Sequence, residues 1–287
     1  MSALTFGLKL PQQHTSLDTL RRVWTVADEA GFDGAWVFDH FAPMGRVRTG
    51  DVFEAWTLLA AMAQATTRLR MGALVTGNTN RHPAVLAKMA STVDHLSGGR
   101  LDMGIGAGGD GYVDTMLGLP RIPARERIQR LDEACEVLTL LWSAPLANYD
   151  GTFYQLTDAE HEPKPVQRPR PPIWIGSSGE RHGLRVVAKH ADVWINANRS
   201  GAEVAELQRL GRVLDRHCAD VGRDPADIRR AIQFRLPPEP DDLLRETERY
   251  VEAGFTDIIL MQYQVGDAAL GSAEAAADVL PKLRGLG

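Results

Sequence analysis

Short apolar runs alternate with amphipathic stretches along the whole chain. The runs LTFGLKL (4–10), AWVFDH (35–40), LRMGALV (69–75), LDMGIGAG (101–108), PIWIGS (172–177), DVWINAN (192–198), IRRAIQFRL (228–236) and DIILMQY (257–263) read as strands. Several lack polar alternation, as expected for parallel strands covered on both faces. Helical patterns begin near Leu17, Phe53, Pro83, Arg125, Arg181, Ala202, Asp241 and Ser272. Pro83 suits a first helical turn, and Gly31 and Gly254 sit where helices end. Two joints echo each other, Ala30-Gly31-Phe32-Asp33 and Ala253-Gly254-Phe255-Thr256. Eight strand-then-helix units predict an α/β fold, a single (β/α)8 barrel over 1–287, with an open doubly wound sheet as the rival.

One stretch breaks the rhythm. Residues 148–154 (NYDGTFY) place Asp-Gly between aromatic-rich arms, which predicts a tight hairpin inserted before strand five. The proline-rich run PKPVQRPRPP (163–172) then reads as a stiff connector back to the barrel bottom.

Composition narrows the partners. With 287 residues, 44% hydrophobic, the chain can build one large core. A net charge of −5 with mixed signs gives no basic face for nucleic acid or anionic membrane. Cys135 and Cys218 read as small buried hydrophobes in a reducing compartment. The N-terminus leads straight into a strand, and no apolar run reaches the roughly 18 residues that span a bilayer. A soluble, cytoplasmic protein is expected.

In such a barrel, chemistry collects at the carboxyl ends of the strands. Strand five runs into Gly176-Ser177-Ser178-Gly179 ahead of a helix. Backbone N–H groups, two hydroxyls and a helix N-terminus converging there suit a phosphate, although a capped strand-to-helix turn has the same look. Strand two ends in Asp39-His40, whose side chains must point to opposite sides. His40 is the best acid/base candidate, the alternative being a structural histidine. Gly104, Gly106 and Gly108 share one face of strand four, leaving either a flat slot for a planar ring or room for a helix. Thr76, Asn78, Thr79 and Asn80, followed by Arg81 and His82, form a polar loop after strand three. Strand six ends in Asn196-Ala197-Asn198 and strand eight in Gln262-Tyr263-Gln264. Trp36, Trp174, Trp194 and Tyr263 suggest an apolar lining.

Several classes lack their signatures. There is no GxxxxGK[ST], no HExxH or CxxC, no GxSxG, and GIGAGG fits the dinucleotide spacing poorly. No metal is expected, and no pair of strand-end carboxylates suits glycoside hydrolysis.

The blocks GFDGAWVFDHF (31–41), GALVTGNTNRHPAVLAKMASTVDHLSGGRLDMGIGAG (72–108), ERIQRLDEACEVLTLLW (126–142), GTFYQL (151–156) and PVQRPRPPIWIGSSGERHGLRVVAKHADVWI (165–195) together resemble the bacterial luciferase-like flavin and deazaflavin oxidoreductases. VTGN..RHP is most similar to the branch using coenzyme F420. The resemblance implies a hydride carrier in the barrel mouth, with Gly176, Ser177, Ser178 and Gly179 holding its phosphate. It implies a non-proline cis bond between Ala73 and Leu74 backing the ring, Asp39 at the ring's polar edge, and Thr76 and Asn78 beside the ring and its side chain. His40 falls where some deazaflavin dehydrogenases handle a proton, and the glycines through Gly106 and Gly108 would leave room for the ring. The chain departs from the sugar-phosphate dehydrogenases at Gly109, where they carry a glutamate, with Asp110 next door. The long insertion after strand seven is missing too, leaving closure to the 41–53 loop.

The expectation is an F420-dependent oxidoreductase moving a hydride to or from a small organic substrate. The alternative is an FMN-dependent monooxygenase using reduced flavin and O2, and a third reading is a cofactor-poor binding barrel. Arg46, Arg48, Arg81, Arg181 and His182 are candidates for a basic rim around the acidic F420 tail. Family members are commonly dimers, and the apolar helix FEAWTLLAAMA (53–63) suggests a homodimer here.

Overall fold

The computed structural model describes residues 4–197 and 203–287. The expected strand end at Asn198 and helix start near Ala202 lie outside them. The elements run β1 (Thr5–Lys9), α1 (Leu17–Ala30), β2 (Gly34–Val37), α2 (Ala55–Ala65), β3 (Arg70–Ala73), β4 (Thr76–Gly77), α3 (Pro83–Ser97), β5 (Met103–Gly106), α4 (Gly111–Met116) and α5 (Ala124–Ser143). Then follow β6 (Leu146–Asp150), β7 (Gln155–Glu160), β8 (Ile173–Gly176), α6 (Gly183–His190), β9 (Val193–Ala197), α7 (Val204–Val221), β10 (Arg229–Arg235), α8 (Pro240–Glu252), β11 (Asp257–Met261) and α9 (Asp267–Arg284).

The main sheet has the order β3-β2-β1-β11-β10-β9-β8-β5-β4, parallel throughout. Its ends meet, because β3 and β4 are two pieces of one barrel strand. Met71 bridges to Leu101 ahead of β5, and Thr76 pairs with Ile105 within it. The expected (β/α)8 barrel is therefore present.

Helix boundaries have local causes. Ser16 caps α1 by accepting from Thr19 N–H, and Gly31 ends it at φ 90°, a left-handed conformation that favours glycine. The N–H groups of Trp56 and Thr57 donate to the Glu54 carboxylate at the start of α2. α4 escapes sequence reading, since six residues are too short for a helical period.

Alternation along the strands separates two apolar layers. Phe6, Leu8, Met71, Ile105, Ile175 and Ile258 face the helices, whereas Trp36, Trp174, Val193, Ala231 and Ile259 fill the barrel interior. The Trp36 and Trp174 rings pack against each other at a tilt of 52°, with centroids 4.5 Å apart. A Cβ at Gly7 or Gly72 would lie 2.9 or 2.7 Å from the Trp36 indole, so glycines on flanking strands admit that one large ring. Trp36 and Trp174 thus plug the barrel and do not line its mouth, contrary to expectation. Trp194 faces outward into the helix layer, and Tyr263 is exposed.

The bulky residues of α2 are likewise buried within the chain: Trp56, Leu58, Leu59 and Met62. They carry no argument for a second copy. β6 and β7 form an antiparallel hairpin joined by four residues, 151–154, not a tight Asp-Gly turn. The loop is opened by Glu133, whose carboxylate accepts from the N–H groups of Thr152, Phe153 and Tyr154 at 2.9, 2.9 and 3.2 Å. Among the described residues, no helix is long and apolar enough to cross a membrane.

Candidate active site

The carboxyl ends of the strands open into a mouth built from four connections. Asp39, just past β2, organises the first two. Its Oδ2 accepts from Arg81 Nη1 at 2.6 Å, Asn80 Nδ2 at 3.0 Å and Gly77 N–H at 3.1 Å, and its Oδ1 accepts from Arg81 Nη2 at 3.0 Å. Arg81 also donates to Glu54 at 2.8 Å. Burial pushes the guanidinium's pKa down, but the Asp39 and Glu54 carboxylates outweigh it and raise it. Asp39 therefore ties the loop after β4 to β2. Arg81 is consumed by this pairing and leaves the expected basic rim, from which Arg46, Arg181 and His182 remain among the proposed groups.

His40 follows, with its side chain 30% exposed at the mouth, in the same cavity as Asp39. Its Nδ1 lies 3.4 Å from Asp110 Oδ2, and Arg48 Nη2 donates to the same oxygen at 2.6 Å. Asp110 is also the N-cap of α4, its Oδ1 accepting from Tyr112 N–H at 3.1 Å. Burial raises the Asp110 carboxyl, but Arg48 and the backbone N–H groups of Val113 and Tyr112 outweigh it and hold the group below its ordinary value. Arg48 in turn lies 4.6 Å over the Tyr112 ring. The structure thus joins the 41–53 loop to the loop after β5 through one carboxylate. Asp110 was legible only as a neighbour of the glycine that replaces a glutamate.

The strand-four glycines meet no helix, and Gly106 and Gly108 border the mouth. A Cβ on Gly104 would lie 1.8 Å from the Ala73 carbonyl oxygen, and one on Gly106 would lie 2.6 Å from Val75 Cγ2. They admit the backbone bulge between β3 and β4. Gly108, at φ 72°, would place a Cβ 2.4 Å from Thr79 Oγ1. The cis peptide bond in that bulge is Leu74–Val75, one bond later than expected. Ala73 still pairs with Val37, and Leu74 N–H still donates to the Val37 carbonyl at 2.8 Å, so the regular ladder holds the Ala73–Leu74 bond trans. Thr76 and Asn78 face inward contacts: Trp56 Nε1 donates to Thr76 Oγ1 at 3.2 Å, and Asn78 Nδ2 donates to the Tyr154 hydroxyl at 3.2 Å. Asn78 Oδ1 is buried with no partner among the described residues.

On the opposite rim, Gly176 ends β8. Ser177 shapes the following turn: its carbonyl accepts from Trp194 Nε1 at 2.7 Å and its hydroxyl accepts from Gly179 N–H at 3.3 Å. A Cβ at Gly183 would lie 2.0 Å from that hydroxyl, so the turn and the start of α6 require a glycine to approach each other. The His182 side chain, at the N-cap of α6, makes no capping hydrogen bond.

Two cavities flank the Val75 side chain and, among the described residues, share Val75 and Gly176 as walls. One, about 230 Å³, holds Asp39, His40, Gly106, Gly108 and Asp110. The other, about 240 Å³, holds Lys9, Leu74, Ser177, Ser178 and Gln233. Lys9 is 2% exposed; its Nζ donates to the Leu74 carbonyl at 2.6 Å and to Gln233 Oε1 at 2.9 Å. Sequence reading missed both residues. The available signal was a lysine two positions after Gly7, and a glutamine two after Ala231, on the inward phase of otherwise apolar strands. Asn196 pairs with Ile232 on the helix-facing phase, while Ala197 pairs with Gln233.

Comparison with known proteins agrees with this architecture. An F420-dependent glucose-6-phosphate dehydrogenase from Microbacterium testaceum is 30% identical over 249 residues, 86% of this chain and 72% of that protein. The solved structure of an F420-dependent secondary alcohol dehydrogenase in complex with an F420–acetone adduct superposes with a TM-score of 0.87 at 18% identity, covering 98% of this chain and 99% of that one. A monooxygenase from Streptomyces bottropensis superposes at 0.79 with 19% identity, covering 97% and 99%. At those identities the structures speak for the fold alone. Residues 2–278 match the luciferase-like monooxygenase family across nearly the whole chain, and the protein belongs to that family.

Proposed function

We propose that this protein is an F420-dependent oxidoreductase that transfers a hydride between the deazaflavin and a small organic substrate. The observation that supports the reading is the mouth itself: His40 beside the Asp110 carboxylate on one rim, and the Gly-Ser-Ser-Gly turn leading into α6 on the other. The relative named above, a dehydrogenase using F420, supports the choice of cofactor.

The residues present fit such a group. Gly106 and Gly176 carry no side chain where a Cβ would meet Val75, at 2.6 and 3.3 Å, so the ridge between the cavities is low and apolar. Asn78 Oδ1 is a buried acceptor without a partner among the described residues. Ser177, Ser178 and the N–H groups leading into α6 would hold the phosphate, and Leu74 and Val75 would back the ring. When bound, the deazaflavin supplies a carbon that gives or takes a hydride. The protein's own part is the proton. Asp110 fixes the His40 ring through Nδ1 and stabilises the imidazolium that forms when the ring accepts a proton from a substrate hydroxyl. Arg48 keeps Asp110 ionised in that role. In the reverse direction the same ring returns the proton to a carbonyl oxygen.

Titration with F420 and, separately, FMN, followed by cofactor fluorescence at two salt concentrations, tests the reading. Tight, salt-weakened F420 binding with feeble FMN binding is expected. Preference for FMN would transfer the protein to the monooxygenase reading. His40→Ala should lose turnover while keeping F420 affinity, and unchanged turnover would remove His40 from the chemistry.

A further inference from the structure

We infer that the cavity on the His40 side of Val75 takes a substrate bearing an ammonium group, held by the Asp114 carboxylate, so that the protein acts on a small amino alcohol or the matching amino ketone. This rests on the oxidoreductase reading only in taking the bound amine as the substrate.

Three carboxylates line this cavity, from Asp39, Asp110 and Asp114, and among the described residues no lysine or arginine does. Two of the three already have their partners. Asp39 accepts from Arg81, Asn80 and Gly77, and Asp110 accepts from Arg48 and from the Tyr112 N–H. Asp114 differs. It is only 7% exposed, yet its carboxylate makes no hydrogen bond or ion pair among the described residues. Its backbone is fixed from both sides, with the N–H donating to the Asp110 carbonyl at 2.7 Å and the carbonyl accepting from Leu119 N–H at 2.8 Å. α4 therefore holds an unpartnered, buried carboxylate at the cavity wall.

Such a group is costly to bury alone, and a cation that binds beside it offsets the cost. A substrate hydroxyl donates a hydrogen bond but leaves the charge, whereas an ammonium does both, through a charge-assisted bond. Phe41, Ala107 and Val113 give the same cavity apolar wall for a short carbon skeleton. None of Phe41, Val113 and Asp114 belongs to the set that would hold the cofactor. His40 lines this cavity too, so a hydroxyl on the same skeleton shares it with the group that takes its proton. The ammonium keeps its own proton throughout and serves only to select and seat the molecule.

The test uses the intact protein and three probes on one skeleton: isopropanolamine, propylene glycol and lactate, which carry a cation, a neutral hydroxyl and an anion. Each is titrated calorimetrically at neutral pH, in the free protein and in the presence of F420, and F420 affinity is measured in parallel. The amine should bind at least about ten-fold more tightly than the glycol, with lactate weakest. Added salt should weaken the amine and not the glycol. Asp114→Asn keeps the shape and removes the charge, and Asp114→Ala serves if the asparagine variant fails to fold. Either should weaken the amine by about 10- to 100-fold, as expected for a hydrogen bond to a charged group, and leave glycol binding and F420 affinity within about two-fold. No amine binding in either state, equal binding of amine and glycol, or a preference for lactate overturns the inference. An amine preference that survives the loss of Asp114 overturns it as well, and so does a parallel loss of F420 affinity, because Asp114 would then serve the cofactor. A protein that ranks the probes as expected but ignores F420 keeps the ammonium site and sinks the cofactor reading; one that binds F420 without discriminating among the probes does the opposite.

Discussion

Acid should loosen the hairpin insertion before it affects the barrel, and His161 is the reason. This residue follows β7 and is buried, with Nε2 2.8 Å from Ser91 Oγ on α3. Burial, then the nearby charges of Lys88 and Lys164, push its imidazole down from 6.5 to about 4. The unfolded chain takes up its proton near the ordinary value, whereas the folded chain refuses it until about pH 4. The stability from the neutral ring is therefore fully present above pH 6.5 and is lost as pH falls toward 4. The linkage relation gives a loss of about 2 kcal/mol by pH 5, and about 3 kcal/mol once both states are protonated. His161→Gln keeps a polar partner for Ser91 and removes the titration. Urea unfolding of both proteins at pH 7.5 and pH 5 is the assay. Between those conditions the wild type should lose about 2 kcal/mol more than the variant, since the carboxylates that also titrate are common to both. Equal losses would refute the reasoning. The hairpin loop carries Tyr154, the acceptor for Asn78, so its loosening should also weaken cofactor binding at low pH.

Asp39→Asn leaves Arg81 with Glu54 alone. Breaking a buried pair costs about 3–5 kcal/mol, and the remaining partner reduces this to about 2–3 kcal/mol, which calorimetry should register as a melting temperature lower by roughly 4 °C; no drop would show that Asp39 does not tie the loop. Gly104→Ala brings a methyl within 1.8 Å of the Ala73 carbonyl oxygen, so the chain should lose more than about 3 kcal/mol or fail to fold. A variant that melts like wild type would mean the bulge moves freely. Asp110→Asn should lower turnover about ten-fold or more with F420 affinity kept, and equal effects on both would make Asp110 merely a helix cap.

The barrel was legible because its strands are short, apolar and evenly punctuated, with Gly31 and Gly254 marking helix ends that the structure places in left-handed conformations. The Gly-Ser-Ser-Gly stretch between β8 and α6 was legible for the same reason, being fixed by a few neighbours in sequence, whereas the expected strand alternation at Asp39 and His40 fails because β2 ends at Val37. What was not legible depends on contacts across the sheet. Trp36 looks like a pocket aromatic until Gly7 and Gly72 on neighbouring strands are seen to make room for it inside the barrel. Gly104 and Gly106 suggested a slot or a helix contact; Gly106 does border the mouth, but both also make room for a bulge on the adjacent strand, which spacing alone does not show. The cis bond fell one residue late because its position follows the last ladder hydrogen bond, at Leu74, and a count of residues does not show where pairing stops. Arg48 and Asp110 sit 62 residues apart, and nothing local announces their bond.

The two cavities of the mouth touch at Val75 and Gly176 and draw their other walls from different parts of the chain. The Lys9 side is lined from β1, β9 and β10, with Leu74 and the turn after β8, and the His40 side from β4, β5 and the loops that follow β2 and β5. A change on one set of strands leaves the other wall standing. A substitution on β1, β9 or β10 can therefore reshape one cavity while the Asp39 and Asp110 networks that border the other stay as they are.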